Sequence, residues 1–194
     1  TPNSETITVT ANCSWSASSS ANWLTVSQKD NTITLAVTAN ESNSNRTGTI
    51  SVVHYGTTNA SQKITVRQVP ASINASTESL VFNNTASSVN VTINAEASWT
   101  ASSSASWIDI SPASGESGTS TMKVSVSPNT STSERTGYVN LSIGGSQRIQ
   151  IPVRQRGIYI ETEESELSFN AAGGSQNFSV LSNTNWTVSS APSW

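Results

Sequence analysis

The chain has 194 residues, with 9 Lys and Arg against 12 Asp and Glu, and a formal net charge of −3 at pH 7. The basic residues are scattered singly and form no phosphate-binding stripe, which argues against a nucleic-acid partner. No apolar run approaches the length of a membrane span, so we expect no transmembrane segment. Serine and threonine make up about a third of the chain, and the regular spacing of Val, Ile and Trp among them favours strands over disorder.

Pairs of tryptophans recur along the chain. A Trp followed by a second Trp eight residues later occurs at Trp15 and Trp23, at Trp99 and Trp107, and at Trp186 and Trp194. The distance between pairs gives a repeat of roughly 85 residues, the size of a small sandwich domain. We therefore predict three units: residues 1–69, which lack an opening strand, residues 71–157, and residues 158–194, which are a truncated copy.

Alternating residues predict the first strands of each unit. In the segment that ends at Trp15, apolar residues alternate with threonines, the pattern of a strand with one buried face. The same phase leads into Trp99 and Trp186, so we expect the first Trp of each pair in the core. Trp23 and Trp107 have the opposite parity to the apolar residues that follow them. We expect these two rings to face outward or to cap an open end of the sandwich.

The later elements follow in the same order in both units. An inner strand (33–37 and 122–126) precedes an Arg-Thr-Gly segment (46–48 and 135–137), and a closing strand ends each unit (64–68 and 151–155). Pro152 cannot donate a ladder hydrogen bond, which predicts a sheet edge or a bulge at that point. Opening strands are predicted at Leu80–Phe82 and Leu167–Phe169, and the linkers between units are short enough to join them stiffly. Short strands, frequent turns and no helical period predict an all-β chain of tandem immunoglobulin-like β-sandwich domains.

This combination of segments resembles the BACON domain, a Bacteroidetes-associated module whose name refers to carbohydrate binding. The resemblance rests on the Leu-x-Phe strand, the Val-x-Val strand that leads into Trp, the Trp-(Leu/Ile)-x-(Val/Ile)-Ser segment, Arg-Thr-Gly and the closing Val-Arg-Gln. It covers residues 71–157 throughout, 1–69 without the opening strand, and the opening third of a unit in 158–194. It implies a sandwich fold in bacterial surface or secreted proteins and in some phages, commonly beside glycan-degrading enzymes. It supplies no agreed ligand residues.

Sugar binding requires an exposed aromatic face with polar groups beside it. Trp23 and Trp107 are the candidates that strand parity supports, with Tyr55, Tyr138 and Tyr159 behind them. The alternative is that the repeated Trp anchors a core that has few large apolar residues. Cell-surface, dietary or mucin glycans are the partners that the first interpretation implies.

An enzymatic function is not expected. The single His54 occupies an inward strand position and has no Cys or second His for a zinc site. Asp109 and Glu116 could be paired as glycosidase carboxylates, but the first unit has Thr25 where the second has Asp109, so surface charge is the preferred interpretation. We expect no cofactor. Cys13 aligns with small residues and is expected to be a packed side chain.

The acidic residues Glu161, Glu163, Glu164 and Glu166 lie where the second and third units meet. Calcium rigidifies some junctions between extracellular sandwiches and takes oxygen ligands, whereas a solvated run of charge is the plainer interpretation. A chain rich in Ser, Thr and Asn and poor in Lys suggests an extracellular or cell-surface protein, or a virion appendage.

Two functions follow from the sequence. The first is a non-catalytic tandem array that acts as a spacer or adhesion module, with carbohydrate binding as a further property. The second is a subunit of an extracellular filament, in which the opening strand of the third unit pairs with the first unit of a neighbouring copy. A window cut from a longer array explains the same ends without polymerisation.

Overall fold

The computed structural model describes residues 4–54 and 61–189. Every helix or strand in this part of the chain is a β-strand, which confirms the all-β prediction. Tyr55 and Trp194, both considered above, lie outside the described residues.

The first unit consists of two antiparallel sheets of three strands each. Its strands are β1 (Ser4–Thr8), β2 (Trp15–Ser19), β3 (Leu24–Lys29), β4 (Thr32–Val37), β5 (Arg46–His54) and β6 (Ser61–Gln68). One sheet has the order β1-β4-β3 and the other β2-β5-β6. Leu24, Ile33, Leu35 and Ile50 are buried together as the core of this unit.

The second unit contains equivalents of all six strands and adds three more. Its strands are β7 (Ile73–Ala75), β8 (Leu80–Phe82), β9 (Ser87–Ala95), β10 (Trp99–Ser103), β11 (Ile108–Ser111), β12 (Ser114–Gly115), β13 (Gly118–Val126), β14 (Arg135–Ile143) and β15 (Ser146–Gln155). The smaller sheet has the order β11-β13-β9-β7 and the larger sheet β12-β10-β14-β15-β8. Strand β8 runs parallel to β15, with Leu80 opposite Val153 and Phe82 opposite Gln155.

The described part of the third unit is a two-stranded antiparallel pair, β16 (Ile160–Thr162) with β17 (Val180–Ser182). Leu167 and Phe169, which match Leu80 and Phe82 of the second unit, are 37% and 50% exposed. The opening strand predicted at Leu167–Phe169 is not among the strands of the described residues.

The first Trp of each pair differs in burial from unit to unit. Trp99 is 1% exposed and packs in the core of the second unit between its two sheets. Trp15 is half-buried, and Trp186 is 48% exposed. The prediction of a core position is right for Trp99 and wrong for Trp186, because in the third unit the described residues include no second sheet to cover the ring.

At Pro152, strand β15 is paired with a neighbouring strand on one side only. It is opposite Tyr138 of β14, while the pairing of β15 with β8 begins only at Val153. The missing N–H therefore costs no ladder hydrogen bond to β8. Strand β12 follows the cis Ser111–Pro112 peptide and was not predicted from the sequence.

Candidate functional site

Trp23 and Trp107 occupy equivalent positions, each one residue before a strand. Each is the third residue of a turn, closed by a hydrogen bond from Leu24 N to Ala21 O in the first unit and from Ile108 N to Ala105 O in the second, both 3.1 Å. The carbonyl oxygen of Trp23 accepts a bond from Thr38 N, and that of Trp107 accepts one from Ser127 N. Both side chains are half-buried.

A glycine on the adjacent sheet makes room for each ring. A Cβ atom added at Gly48 would lie 3.1 Å from Cζ2 of Trp23, and one added at Gly137 would lie 3.3 Å from Cζ2 of Trp107. These are the glycines of the two Arg-Thr-Gly segments. The segment therefore uses its third residue to let the indole approach the backbone.

The arginine of the same segment covers a face of each ring. The guanidinium carbon lies 4.5 Å from the ring centroid in both pairs, Arg46 over Trp23 and Arg135 over Trp107. This is the distance of a cation–π contact.

Hydrogen bonds hold the guanidinium in place. Arg135 donates from Nε to Oε1 of Gln155 at 2.8 Å and from Nη2 to the carbonyl oxygens of Ser127 and Pro128. Arg46 makes the matching bonds to Gln68, Thr38 and Ala39. Burial lowers the pKa of Arg135 from its ordinary value, and an arginine remains charged at such a site.

The two tryptophans therefore have one face under a cation, which leaves less open ring than a free aromatic platform would offer. Sugar binding at Trp23 and Trp107 stays a prediction. Among the tyrosines, Tyr138 is 42% exposed and Tyr159 is half-buried.

The other candidate residues are dispersed. His54 is half-buried at the end of β5 and lies opposite Trp15. Asp109 is exposed, and Glu116 accepts a hydrogen bond from Ser98 Oγ at 2.8 Å. Cys13 is exposed, so the expectation of a packed side chain is wrong. The loop that carries it has no covering strand among the described residues.

The acidic run is solvated along its length: Glu161, Glu163, Glu164 and Glu166 are all exposed. Within residues 4–54 and 61–189, no three His, Cys, Asp or Glu side chains come close enough together to hold a metal ion. The same ranges contain no helix long and apolar enough to cross a membrane.

A buried asparagine connects the first unit to the second. Asn40 is 2% exposed and donates from Nδ2 to the carbonyl oxygens of Ser44 and Gln68. The main-chain carbonyl oxygen of Asn40 accepts a hydrogen bond from Ala71 N at 2.8 Å. The residue thus links the β4–β5 loop to the end of β6 and to the first residues of the next unit.

The second unit repeats this arrangement at its own end. Asn129 donates from Nδ2 to Ser133 O and Arg156 O, and Ile158 N donates to Ser131 O at 2.9 Å. Sequence reasoning missed both joints, although Asn40 and Asn129 each stand six residues before the arginine of Arg-Thr-Gly.

One further contact spans the first junction. Arg148 Nη2 donates to the carbonyl oxygens of Glu41 and Ser42, at 2.8 and 2.7 Å. Gly144, in the turn between β14 and β15, lies against Glu41: an added Cβ would be 2.7 Å from Glu41 Cβ. The turn of the second unit is therefore docked on the β4–β5 loop of the first.

These features define a class of protein, a tandem of immunoglobulin-like β-sandwich domains with repeated, hydrogen-bonded junctions. The chain belongs to the viral BACON domain family, whose model matches residues 1–70 and 72–157.

The chain is similar to parts of several solved structures. A Bacteroides ovatus GH5 xyloglucanase, solved with a XXXG heptasaccharide, is 31% identical over 44% of this chain and 19% of its own length, with a TM-score of 0.41. The D0-D1 domain of intimin is 15% identical, over 79% of this chain and 89% of its own, with a TM-score of 0.32. Titin domains I67–I69 are 7% identical, over 91% and 80%, with a TM-score of 0.37. No curated protein matches the sequence.

Proposed function

We propose that the chain is a non-catalytic spacer or adhesion segment of an extracellular protein, which holds other parts of that protein at a fixed distance. Membership of the viral BACON domain family supports a place on a virion appendage. The observation that carries the proposal is the repeated joint. At each junction a main-chain N–H of the following unit donates to the loop that carries the buried Asn, Ala71 N to Asn40 O and Ile158 N to Ser131 O, so each unit is tied to the next at the same place in the fold.

Small-angle X-ray scattering tests the stiffness of the first junction. The wild-type chain should scatter as one particle with a fixed arrangement of its first two units. Arg148→Ala removes both bonds to the β4–β5 loop and should broaden the distance distribution. Arg154→Ala is the matched control, because Arg154 pairs with Glu134 inside the second unit. Wild-type scattering typical of freely jointed domains would contradict a spacer function.

The proposal also includes carbohydrate binding at Trp23 and Trp107. The charge of each covering arginine and the exposed edge of the indole would have to contact the sugar together. Binding of the wild-type chain to a glycan array, compared with Trp23→Phe and Trp107→Phe, tests it. Retention of every bound glycan by both variants would remove these rings from the binding site.

A second candidate function, assembly by strand donation, is favoured by a difference between two glutamines. Gln155 is 0% exposed and donates from Nε2 to Asn83 O, Thr85 O and Ser127 O. Within residues 4–54 and 61–189, the equivalent Gln68 donates from Nε2 only to Thr38 O, which matches the bond to Ser127. The two carbonyl oxygens that Gln155 bonds and Gln68 does not, Asn83 O and Thr85 O, lie in the segment that follows β8. In the first unit, no strand among the described residues pairs with the corresponding edge of β6.

The segment Leu167–Asn170 has the sequence Leu-Ser-Phe-Asn, against Leu-Val-Phe-Asn at Leu80–Asn83. A strand of this sequence fits the outer edge of β6 in the register that β8 has on β15. It could come from a second copy or from residues that precede Thr1 in a longer protein. Light scattering at increasing concentration should show polymers if a second copy supplies it, and Phe169→Ser should abolish them. Phe178→Ser is the control, since Phe178 is equally exposed. Monomers at every concentration would dispose of assembly by this route.

A further inference from the structure

We propose that the outer face of the larger sheet in the second unit binds a neutral oligosaccharide, with Tyr138 as the stacking residue. This surface is separate from Trp23 and Trp107, and the inference rests on the glycan-binding part of the proposed function. Tyr138 lies in β14 between the buried Gly137 and Val139, so its side chain projects from the opposite face of the sheet. It is the one exposed aromatic residue among residues 71–157, all of which the structure describes.

The backbone at Tyr138 is fixed on both sides. Tyr138 N donates to Ser104 Oγ at 2.8 Å, and Tyr138 O accepts from Ser104 N at 2.9 Å. On the other side it is opposite Pro152 of β15, and both side chains project from the same face of the sheet. A ring mounted on the middle of a five-stranded sheet loses little conformational freedom when a ligand binds.

Two amides form the next row of the face. Asn140 is opposite Gln150, and Gln150 Nε2 donates to Asn140 Oδ1 at 3.0 Å. This bond orients both side chains and leaves the Asn140 Nδ2 donor and the Gln150 Oε1 acceptor for a ligand. Ser102 of β10 is opposite Asn140 and adds a hydroxyl. Sugar hydroxyls need such paired donors and acceptors beside an aromatic ring on which the C–H face can stack.

The charge on this face favours a neutral ligand. Arg154 lies 2.7 Å from Glu134 in an ion pair, Arg148 of the same strand donates to the carbonyl oxygens of Glu41 and Ser42, and the neighbouring Thr136, Asn140 and Gln150 are uncharged. Both cations thus already have protein partners, which disfavours an acidic sugar. A protein partner would need roughly 800 Å² with a cluster of apolar anchors, whereas this face offers one aromatic ring among hydroxyls and amides.

The first unit supplies an internal comparison. In its equivalent sheet, Thr49 and Thr65 are opposite each other where the second unit has Tyr138 and Pro152, and Ser51 and Lys63 replace the two amides. The fold is the same, but the ring and the amide pair are missing. The binding surface therefore belongs to the second unit alone.

NMR titration of the 194-residue protein tests this assignment. The probes are the hexasaccharides of β-1,4-glucose, β-1,4-xylose, β-1,4-mannose, β-1,4-N-acetylglucosamine and β-1,3-glucose, with hexagalacturonate as the acidic comparison. At least one neutral hexasaccharide should shift the amide signals of Tyr138, Asn140 and Gln150, while Thr49 and Ser51 stay unmoved. Tyr138→Thr, which installs the residue of the first unit, should weaken binding by about tenfold or more, and Tyr138→Phe should retain it.

The outcomes separate this inference from the wider proposal. Shifts confined to the indole N–H signals of Trp23 and Trp107 would overturn the role of Tyr138 and keep glycan binding at the tryptophans. Binding that is strongest for hexagalacturonate would overturn the neutral ligand class. No shift with any neutral hexasaccharide at 10 mM, a limit set at the weak end of carbohydrate affinities, would overturn the inference and leave the spacer function to the scattering experiment.

Discussion

At the scale of the residue, the most instructive side chains are the arginines of the two Arg-Thr-Gly segments. Each guanidinium stacks on an indole and bonds to a glutamine and to the carbonyl oxygens that follow the preceding strand. Its planar set of donors fits these acceptors from one position, which the single ammonium of lysine does not. Through these bonds, Arg135 links β14 to β15 and to the loop after β13, beside Trp107.

The first prediction follows from this geometry. Arg135→Lys should lower the free energy of unfolding of the second unit by about 2 kcal/mol, because the bidentate bonds and the stacking on Trp107 are both lost. Calorimetry of the two variants against the wild type measures it. Arg154→Lys is the control: its ion pair with Glu134 is exposed and should cost less than about 1 kcal/mol. Equal effects would mean that the contacts around Trp107 contribute nothing special to stability.

The tryptophan site shows what residue patterns reveal and what they miss. Strand parity places Trp23 and Trp107 off the fully buried face, and both are half-buried and pack against the cores of their units, as the alternative of a core anchor expects. The arginine over each ring was not predicted, because Trp23 and Arg46 lie on different sheets and local periodicity contains no information on that contact. For the same reason the exposed face around Tyr138 emerges only when Pro152 and Gln150 are placed in register beside it.

At the scale of the element, alternation and repetition were sufficient to predict most strands. Their pairing was predicted less well, since the parallel contact of β8 with β15 joins segments far apart in sequence. Gln155 reinforces that contact from inside the sheet, where it bonds to two carbonyl groups just beyond β8. The Val-Arg-Gln segment thus ends in the residue that holds the opening strand of its own unit.

The second prediction compares the two glutamines. Gln155→Ala should destabilise the second unit by about 3 kcal/mol, since it leaves Asn83 O and Thr85 O without their buried donor. Gln68→Ala should cost the first unit only about 1 kcal/mol, because among the residues that the structure describes Gln68 Nε2 donates to one carbonyl oxygen, that of Thr38. Hydrogen exchange of the β8 amides should rise in Gln155→Ala alone. Similar losses in both units would show that the opening strand is held by burial of Leu80 and Phe82 instead.

At the scale of the whole molecule, the junctions decide how the units act together. The sequence predicts short linkers, and the structure supplies the reason for stiffness: at each junction the next unit donates a main-chain hydrogen bond to the loop that carries the buried Asn, Ala71 N to Asn40 O and Ile158 N to Ser131 O. At the second junction Gly157 is buried with its Cα against the Ser131–Thr132 loop. Pro70 precedes Ala71 at the equivalent place in the first junction, where the bond from the next unit goes to Asn40 O, so the two joints differ in the acceptor of that bond and in how the backbone passes the loop.

The third prediction concerns this contact. A Cβ atom at Gly157 would collide with the carbonyl oxygen of Thr132 and would lie 2.9 Å from that of Ser131, and a backbone carbonyl cannot turn away as a flexible side chain can. Gly157→Ala should therefore displace the loop, break the bond from Ile158 N to Ser131 O, and raise hydrogen exchange at Ile158 by about tenfold or more. Exchange in the core strands β13 and β14 should stay at the wild-type rate.

Gly173→Ala is the control, since no atom lies within 4 Å of its added Cβ. Its φ of 75° places the strain in the turn of the third unit, away from the junction. An unchanged Ile158 amide in Gly157→Ala would mean that the joint is held by Asn129 alone and tolerates a shifted loop.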